Sequence, residues 1–161
     1  WRQTPDDPWV AFHYAEVLTA SGQREEALNI YAALVKHRPQ VVEAAAQYAL
    51  LLMGGNDKAK LPQAEATLRR ALTIKPGDKA LLTNLGYVQL NAHKWVDAER
   101  TLNRVLALDP LHPPALENMA YLALAQNQYE KARYWLAQLR RAAPEYPNLK
   151  GLERLLNRSY P

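Results

Sequence analysis

Four prolines divide this chain into stretches of nearly equal length. Pro39, Pro76, Pro110 and Pro144 follow one another at separations of 37, 34 and 34 residues. The stretch from Lys79 to Pro110 sets the pattern. Leu82, Leu85, Gly86 and Leu90 fall at helical spacing, and after a polar break Ala98, Leu102, Val105, Leu106 and Leu108 do so again. Similar pairs of runs end at Pro39, Pro76 and Pro144. Two short amphipathic helices cannot bury both apolar faces on each other, so each unit needs the next one beside it. The chain is therefore expected to be all-α and built from stacked helix pairs.

The residues at fixed places in each unit carry a resemblance. The third unit has Leu82, Leu85, Gly86, Trp95, Ala98, Leu102, Val105 and Pro110 at recurrent positions, with Gln89 where an aromatic is usual. The fourth has Leu116, Met119, Ala120, Tyr129, Ala132, Leu136, Leu139 and Pro144; the first has Ala11, Tyr14, Ala15, Gly22, Ala27, Tyr31, Leu34 and Pro39. The second keeps Ala49, Ala64, Leu68, Ala71, Leu72 and Pro76 and carries a three-residue insertion around Gly54 to Lys60. This pattern resembles the tetratricopeptide repeat. The resemblance implies a right-handed superhelical α-solenoid of antiparallel helix pairs, a single domain spanning residues 1–161. Repeats are expected at about 8–41, 42–78, 79–112 and 113–146.

The signature has physical reasons. Ala15, Ala49, Gly86 and Ala120 are small where a first helix must let its partner approach, and Ala27, Ala64, Ala98 and Ala132 answer from the second. The prolines stop each second helix. Asp7 and Asp78 read as N-caps, while Pro8 and Pro113 suit first helical turns. Helices are predicted at about 8–21, 24–37, 42–53, 62–74, 79–92, 95–107, 113–126 and 129–142. Residues 1–7 fit either the tail of a preceding repeat, with Pro5 as its closing proline, or a short leader. The chain opens at Trp1 rather than Met, as a piece of a longer chain would. Residues 147–161 predict a capping helix in which Leu149, Leu152, Leu155 and Leu156 form one stripe. The insertion predicts a lengthened helix pair or a protruding turn.

Composition removes several function classes. There is no cysteine, hence no disulfide and no thiolate chemistry. His13, His37, His93 and His112 show no metal-ligand spacing. Asp6-Asp7 and Glu25-Glu26 sit at helix starts, where negative charge opposes the macrodipole. No phosphate-cradling glycine loop occurs. No enzyme activity, metal, cofactor or small-molecule substrate is expected. The longest apolar runs fall far short of the roughly 20 residues that span a bilayer. Membrane association would need a missing anchor or a partner, and a soluble cytoplasmic or periplasmic location fits equally.

The resemblance places a concave groove on the first helices, a common seat for extended or helical peptides. The family's inner positions correspond here to Trp9, Phe12 and Glu16, to Leu50 and Met53, to Thr83, Asn84, Tyr87, Leu90 and Asn91, and to Glu117, Asn118, Tyr121 and Leu124. Asn84-x-x-Tyr87 recurs as Asn118-x-x-Tyr121. Such a ladder either holds a peptide backbone while the apolar residues take side chains, or satisfies itself between stacked helices. Family members that clamp a terminal carboxylate do so with inner lysine and arginine. Phe12, Ala46, Thr83, Glu117, His13, Gln47, Asn84 and Asn118 stand at those positions, so that ligand is disfavoured.

Charge offers a second surface. The net charge of +4 is uneven: residues 131–161 carry seven basic groups and two acidic ones. Arg133, Arg140, Arg141, Arg154 and Arg158 make either a solvated face or a patch for an acidic protein, an anionic lipid or nucleic acid. Tyr134 and Tyr160 are the few aromatics interleaved with it, which argues against nucleic acid. The expected function is a protein-binding scaffold that takes a protein or peptide partner in its groove. The sequence style resembles bacterial repeat proteins of envelope assembly, in pilus, secretion, polysaccharide-export or cytochrome c maturation machinery. The alternatives are docking through the basic face, and a spacer or homo-oligomerising segment of a longer protein.

Overall fold

The structure is a computed structural model that describes residues 7–55 and 57–159. The reading of residues 1–7 as a repeat tail or leader therefore falls, Asp7 apart, outside the described residues. These fold into helices α1 (Pro8–Ala20), α2 (Arg24–His37), α3 (Val42–Met53), α4 (Leu61–Ile74), α5 (Lys79–Asn91), α6 (Trp95–Leu108), α7 (Pro113–Ala125), α8 (Tyr129–Ala142) and α9 (Leu149–Ser159). The predicted boundaries hold within two residues. The chain forms two compact units, Trp1–Asn84 and Leu85–Pro161, and the division falls inside α5.

The closing prolines work through the residue before them. Arg38, Lys75, Asp109 and Ala143 have φ of −135°, −124°, −148° and −150°. Proline bars the helical region to its predecessor, so each second helix ends one residue early. Every one of these residues then accepts a bond across the proline: Val41 to Arg38 at 3.0 Å, Asp78 to Lys75 at 3.2 Å, His112 to Asp109 at 3.1 Å and Tyr146 to Ala143 at 3.1 Å. A proline at the second position of a tight turn thus redirects the chain in all four repeats.

A second recurrent device closes first helices. Gly22, His93 and Asn127 take positive φ of 79°, 56° and 56°. The next amide reaches back five residues, Gln23 to Leu18, Lys94 to Gln89 and Gln128 to Ala123, at 2.8, 2.9 and 2.8 Å. These are left-handed helix caps that use orphan carbonyls. His93 and Asn127 do without glycine, and the His93 ring packs edge-on to Trp95 at 4.9 Å.

In the first unit α1 packs on α2, α2 on α3 and α3 on α4. Ala15 and Ala27 are fully buried between α1 and α2, surrounded by Leu18, Ile30, Tyr31 and Leu34. Asp7 accepts from the Trp9 amide at 2.8 Å, and Asp78 accepts from that of Leu81 at 3.0 Å, so both cap helices as expected. The insertion does not lengthen the helix pair. α3 stops at Met53, and Asp57 starts a 3-10 turn, Lys58–Lys60, that runs into α4. Arg24 ties this turn down by donating to the Leu51 carbonyl. Its guanidinium lies so close to Gly54 and Gly55 that a Cβ on either would stand 3.0 Å from it.

In the second unit α7 packs on α6, α8 and α9. Gly86 faces Leu102, and Ala120 and Ala132 are fully buried. α9 adds Leu149, Leu152 and Leu156 to the core of α7 and α8. Leu155, expected in the same stripe, stays 45% exposed. Each leucine taken out of water contributes about 1.5–3 kcal/mol, which a helix this short needs in order to stay docked.

Candidate functional site

The first unit brings together part of the expected face. Trp9 is 44% exposed and lies edge-on to Phe12 at 5.6 Å and tilted over the His13 ring at 6.3 Å. His13 Nδ1 meets Glu16 Oε2 at 2.8 Å, so Glu16 remains at the surface with a local partner. Leu50 is exposed on α3 and Met53 is half-buried.

Phe12 does not join them. It is buried in the core against Tyr31, ring centroids 5.8 Å apart. α1 is apolar around most of its circumference, and α2 claims the side that carries Phe12. Thr83 is also buried, and its hydroxyl donates to the Lys79 carbonyl one turn back at 2.7 Å. Asn118 is buried as well, while Asn84 is half-buried. The Asn-x-x-Tyr pair therefore recurs in sequence without presenting equivalent asparagines.

The second unit presents the phenols. Tyr87 on α5 and Tyr121 on α7 are 39% and 37% exposed, with half-buried Leu90 and Leu124 on the same helices. Neither hydroxyl has a hydrogen-bond partner among the described residues. Partial burial, the Glu117 charge and the neighbouring Tyr87 together raise the pKa of Tyr121, so it stays a neutral donor. Asn91 folds its side chain back along its own helix and donates to the Tyr87 carbonyl at 2.8 Å.

Glu117 is held from the loop before α9, a partnership sequence reasoning missed. Tyr146 donates its hydroxyl to Oε2 at 2.8 Å, and Asn148 donates to Oε1 at 2.6 Å. Burial, the hydrogen bond to Glu117 and the charge of Glu117 all push the Tyr146 phenol far above its usual range. A raised phenol contributes stability that is present below the unfolded value of about 10 and lost as pH rises past it. Tyr146→Phe is expected to cost about 1 kcal/mol at neutral pH. It should also remove part of the stability loss above pH about 10. Urea titrations of both proteins across that range check this.

The basic residues are less uniform than their clustering in sequence suggests. Arg140 pairs with Glu153, Arg133 with Glu130 at 3.4 Å, and the Arg154 guanidinium donates to the Lys150 carbonyl at 3.2 Å. Arg141 and Arg158 are exposed. Among the described residues no cluster of three His, Asp or Glu could hold a metal ion, and no helix is long and apolar enough to cross a membrane.

A family model for the tetratricopeptide repeat matches residues 15–79 and 83–147. The chain is a member of the tetratricopeptide repeat family. Its fold class is the all-α solenoid of antiparallel helix pairs, and chains of this family generally serve as protein-binding scaffolds rather than enzymes. No curated protein matches it significantly. Solved tetratricopeptide structures do. TTC0263 of Thermus thermophilus, described as a thermophilic TPR protein, is 22% identical with a TM-score of 0.83 over 97% of this chain and 84% of that one. PilW, described as a widely conserved type IV pilus biogenesis factor, is 18% identical with a TM-score of 0.78 over 98% of this chain and 77% of that one. YrrB, described as having an unusual peptide-binding site, is 16% identical with a TM-score of 0.74, covering 89% and 73%. At such identities the likeness concerns the fold.

Proposed function

We propose that this tetratricopeptide chain is a non-enzymatic adaptor that holds a partner polypeptide against the first helices of its second unit, at Tyr87, Tyr121 and Glu117. One observation carries the reading: two exposed phenols in successive repeats have no hydrogen-bond partner among the described residues, beside a fixed carboxylate and the apolar Leu90 and Leu124. Phenols can hydrogen-bond a peptide backbone while the leucines accept side chains, the economy of peptide grooves in general. Trp9 and Leu50, with half-buried Met53, give the first unit its own apolar residues for the same purpose. The setting we favour is assembly of a bacterial envelope complex, a reading supported by the fold likeness to PilW, a type IV pilus biogenesis factor.

Docking through the basic face is the weaker reading, because acidic neighbours already engage Arg133 and Arg140. Affinity capture separates the two. Tyr87→Ala with Tyr121→Ala should abolish capture of the partner while leaving helicity intact, and wild-type capture should persist from about 50 to 200 mM salt. Capture that ignores the double variant and collapses with salt would move the function to the basic face.

A further inference from the structure

A second site lies away from the first-helix face. In the second unit Leu106 of α6, Pro110 and Leu111 of the turn after it, and Tyr134, Trp135 and Arg141 of α8 line a depression of about 410 Å³. Tyr134 and Trp135 pack edge-on with centroids 4.8 Å apart. Tyr134 is 56% and Leu111 43% exposed, so two apolar side chains stay in water at its rim.

Charge singles out what belongs there. Glu130 and Glu153 are taken up by Arg133 and Arg140, whereas Arg141 at the rim has no carboxylate partner among the described residues. The lining itself holds that one cation and no carboxylate, with Asn103 and Gln138 as its remaining polar residues. A small molecule is normally buried over most of its surface, which this open wall cannot achieve. A phosphate backbone calls for several cations in a row, and one guanidinium lines the depression. We propose that it is a docking site for an acidic polypeptide segment, with an apolar side chain seated against Leu106, Leu111 and Trp135 and a neighbouring Asp or Glu paired with Arg141. The guanidinium supplies two parallel donors for the carboxylate, and the aromatic pair supplies area with little side-chain entropy to lose.

The test uses a fluorescein-labelled synthetic peptide of alternating leucine and aspartate, titrated into the whole chain and read by anisotropy. Binding should saturate and shift the Trp135 indole resonance. Arg141→Glu should weaken it at least about tenfold, as loss of one charge-assisted bond does, and should favour a leucine–lysine peptide instead. Tyr134→Ala, a change at an exposed position, should weaken it too, and Tyr87→Ala with Tyr121→Ala should leave it unchanged. The proposal is overturned if the wild type does not saturate or if Arg141→Glu binds equally. It is also overturned if polyaspartate, a single-stranded oligonucleotide or phosphatidylglycerol vesicles bind as tightly.

Discussion

Leu152→Ala is expected to destabilise the second unit by about 2–5 kcal/mol, the range for removing a buried leucine side chain where the surroundings close only partly. Leu152 is 2% exposed and sits between Leu149 and Leu156 in the core of α7 and α8. α9 has 11 residues, too few for a helix to persist in water on its own propensity. Its place is therefore decided by these three leucines. Loss of one should loosen the loop before it and with it the bonds from Tyr146 and Asn148 to Glu117. Urea unfolding followed by circular dichroism reads the free energy, and hydrogen exchange should show α9 amides opening first. Leu155→Ala on the same helix should change stability by only a few tenths of a kcal/mol, since that side chain is 45% exposed. Equal effects at the two positions would mean that α9 is not docked through this face.

Two glycine-to-alanine substitutions should have opposite signs. A Cβ on Gly86 would stand 2.6 Å from Leu102 Cδ2 and 2.7 Å from its Cγ, distances that force something to move. Leu102 is fully buried, and its branching carbon cannot swing aside as a chain end would. Alanine gains about 1 kcal/mol of helix propensity over glycine. Overpacking a tight core costs about 1–3 kcal/mol. The net expectation for Gly86→Ala is destabilisation of up to about 2 kcal/mol, the difference of those two terms. Gly151 in α9 has nothing within 4 Å of a built Cβ, so Gly151→Ala should instead stabilise by about 0.5–1 kcal/mol. Thermal denaturation of both variants decides the matter. A stabilised Gly86→Ala protein would show that the two helices can separate at that point without strain.

The repeat architecture was legible because it rests on positions that steric rules govern one at a time. Closing prolines, small residues at helix crossings and aspartate caps each act locally, and the helices stand where those signals placed them. The exposure of the expected groove residues was legible in part. Tyr87, Tyr121 and Leu50 lie in the open as their register implied, but Phe12, Thr83 and Asn118 are buried. Register assigns a residue to a side of its helix without saying how far the neighbouring helix wraps over that side. On α1, where Trp9, Val10, Phe12, Tyr14 and Val17 leave hardly any polar face, the pattern could not tell core from surface. Thr83 satisfies its hydroxyl on its own helix and so needs no water. Contacts between distant positions were out of reach: Arg24 on the Leu51 carbonyl, and Tyr146 and Asn148 on Glu117, join residues 27 to 31 apart.

Site-specific photo-cross-linking in source cells addresses the binding claim most directly. A photoreactive phenylalanine analogue placed at Tyr87 or Tyr121 would report what touches each position, with Val96, 70% exposed on α6, as the control. A polypeptide adduct of the same mass is expected from both tyrosine positions and none from Val96. Adducts from Val96 alone, or none from either tyrosine in cells where the chain still co-purifies with its partner, would contradict the binding claim.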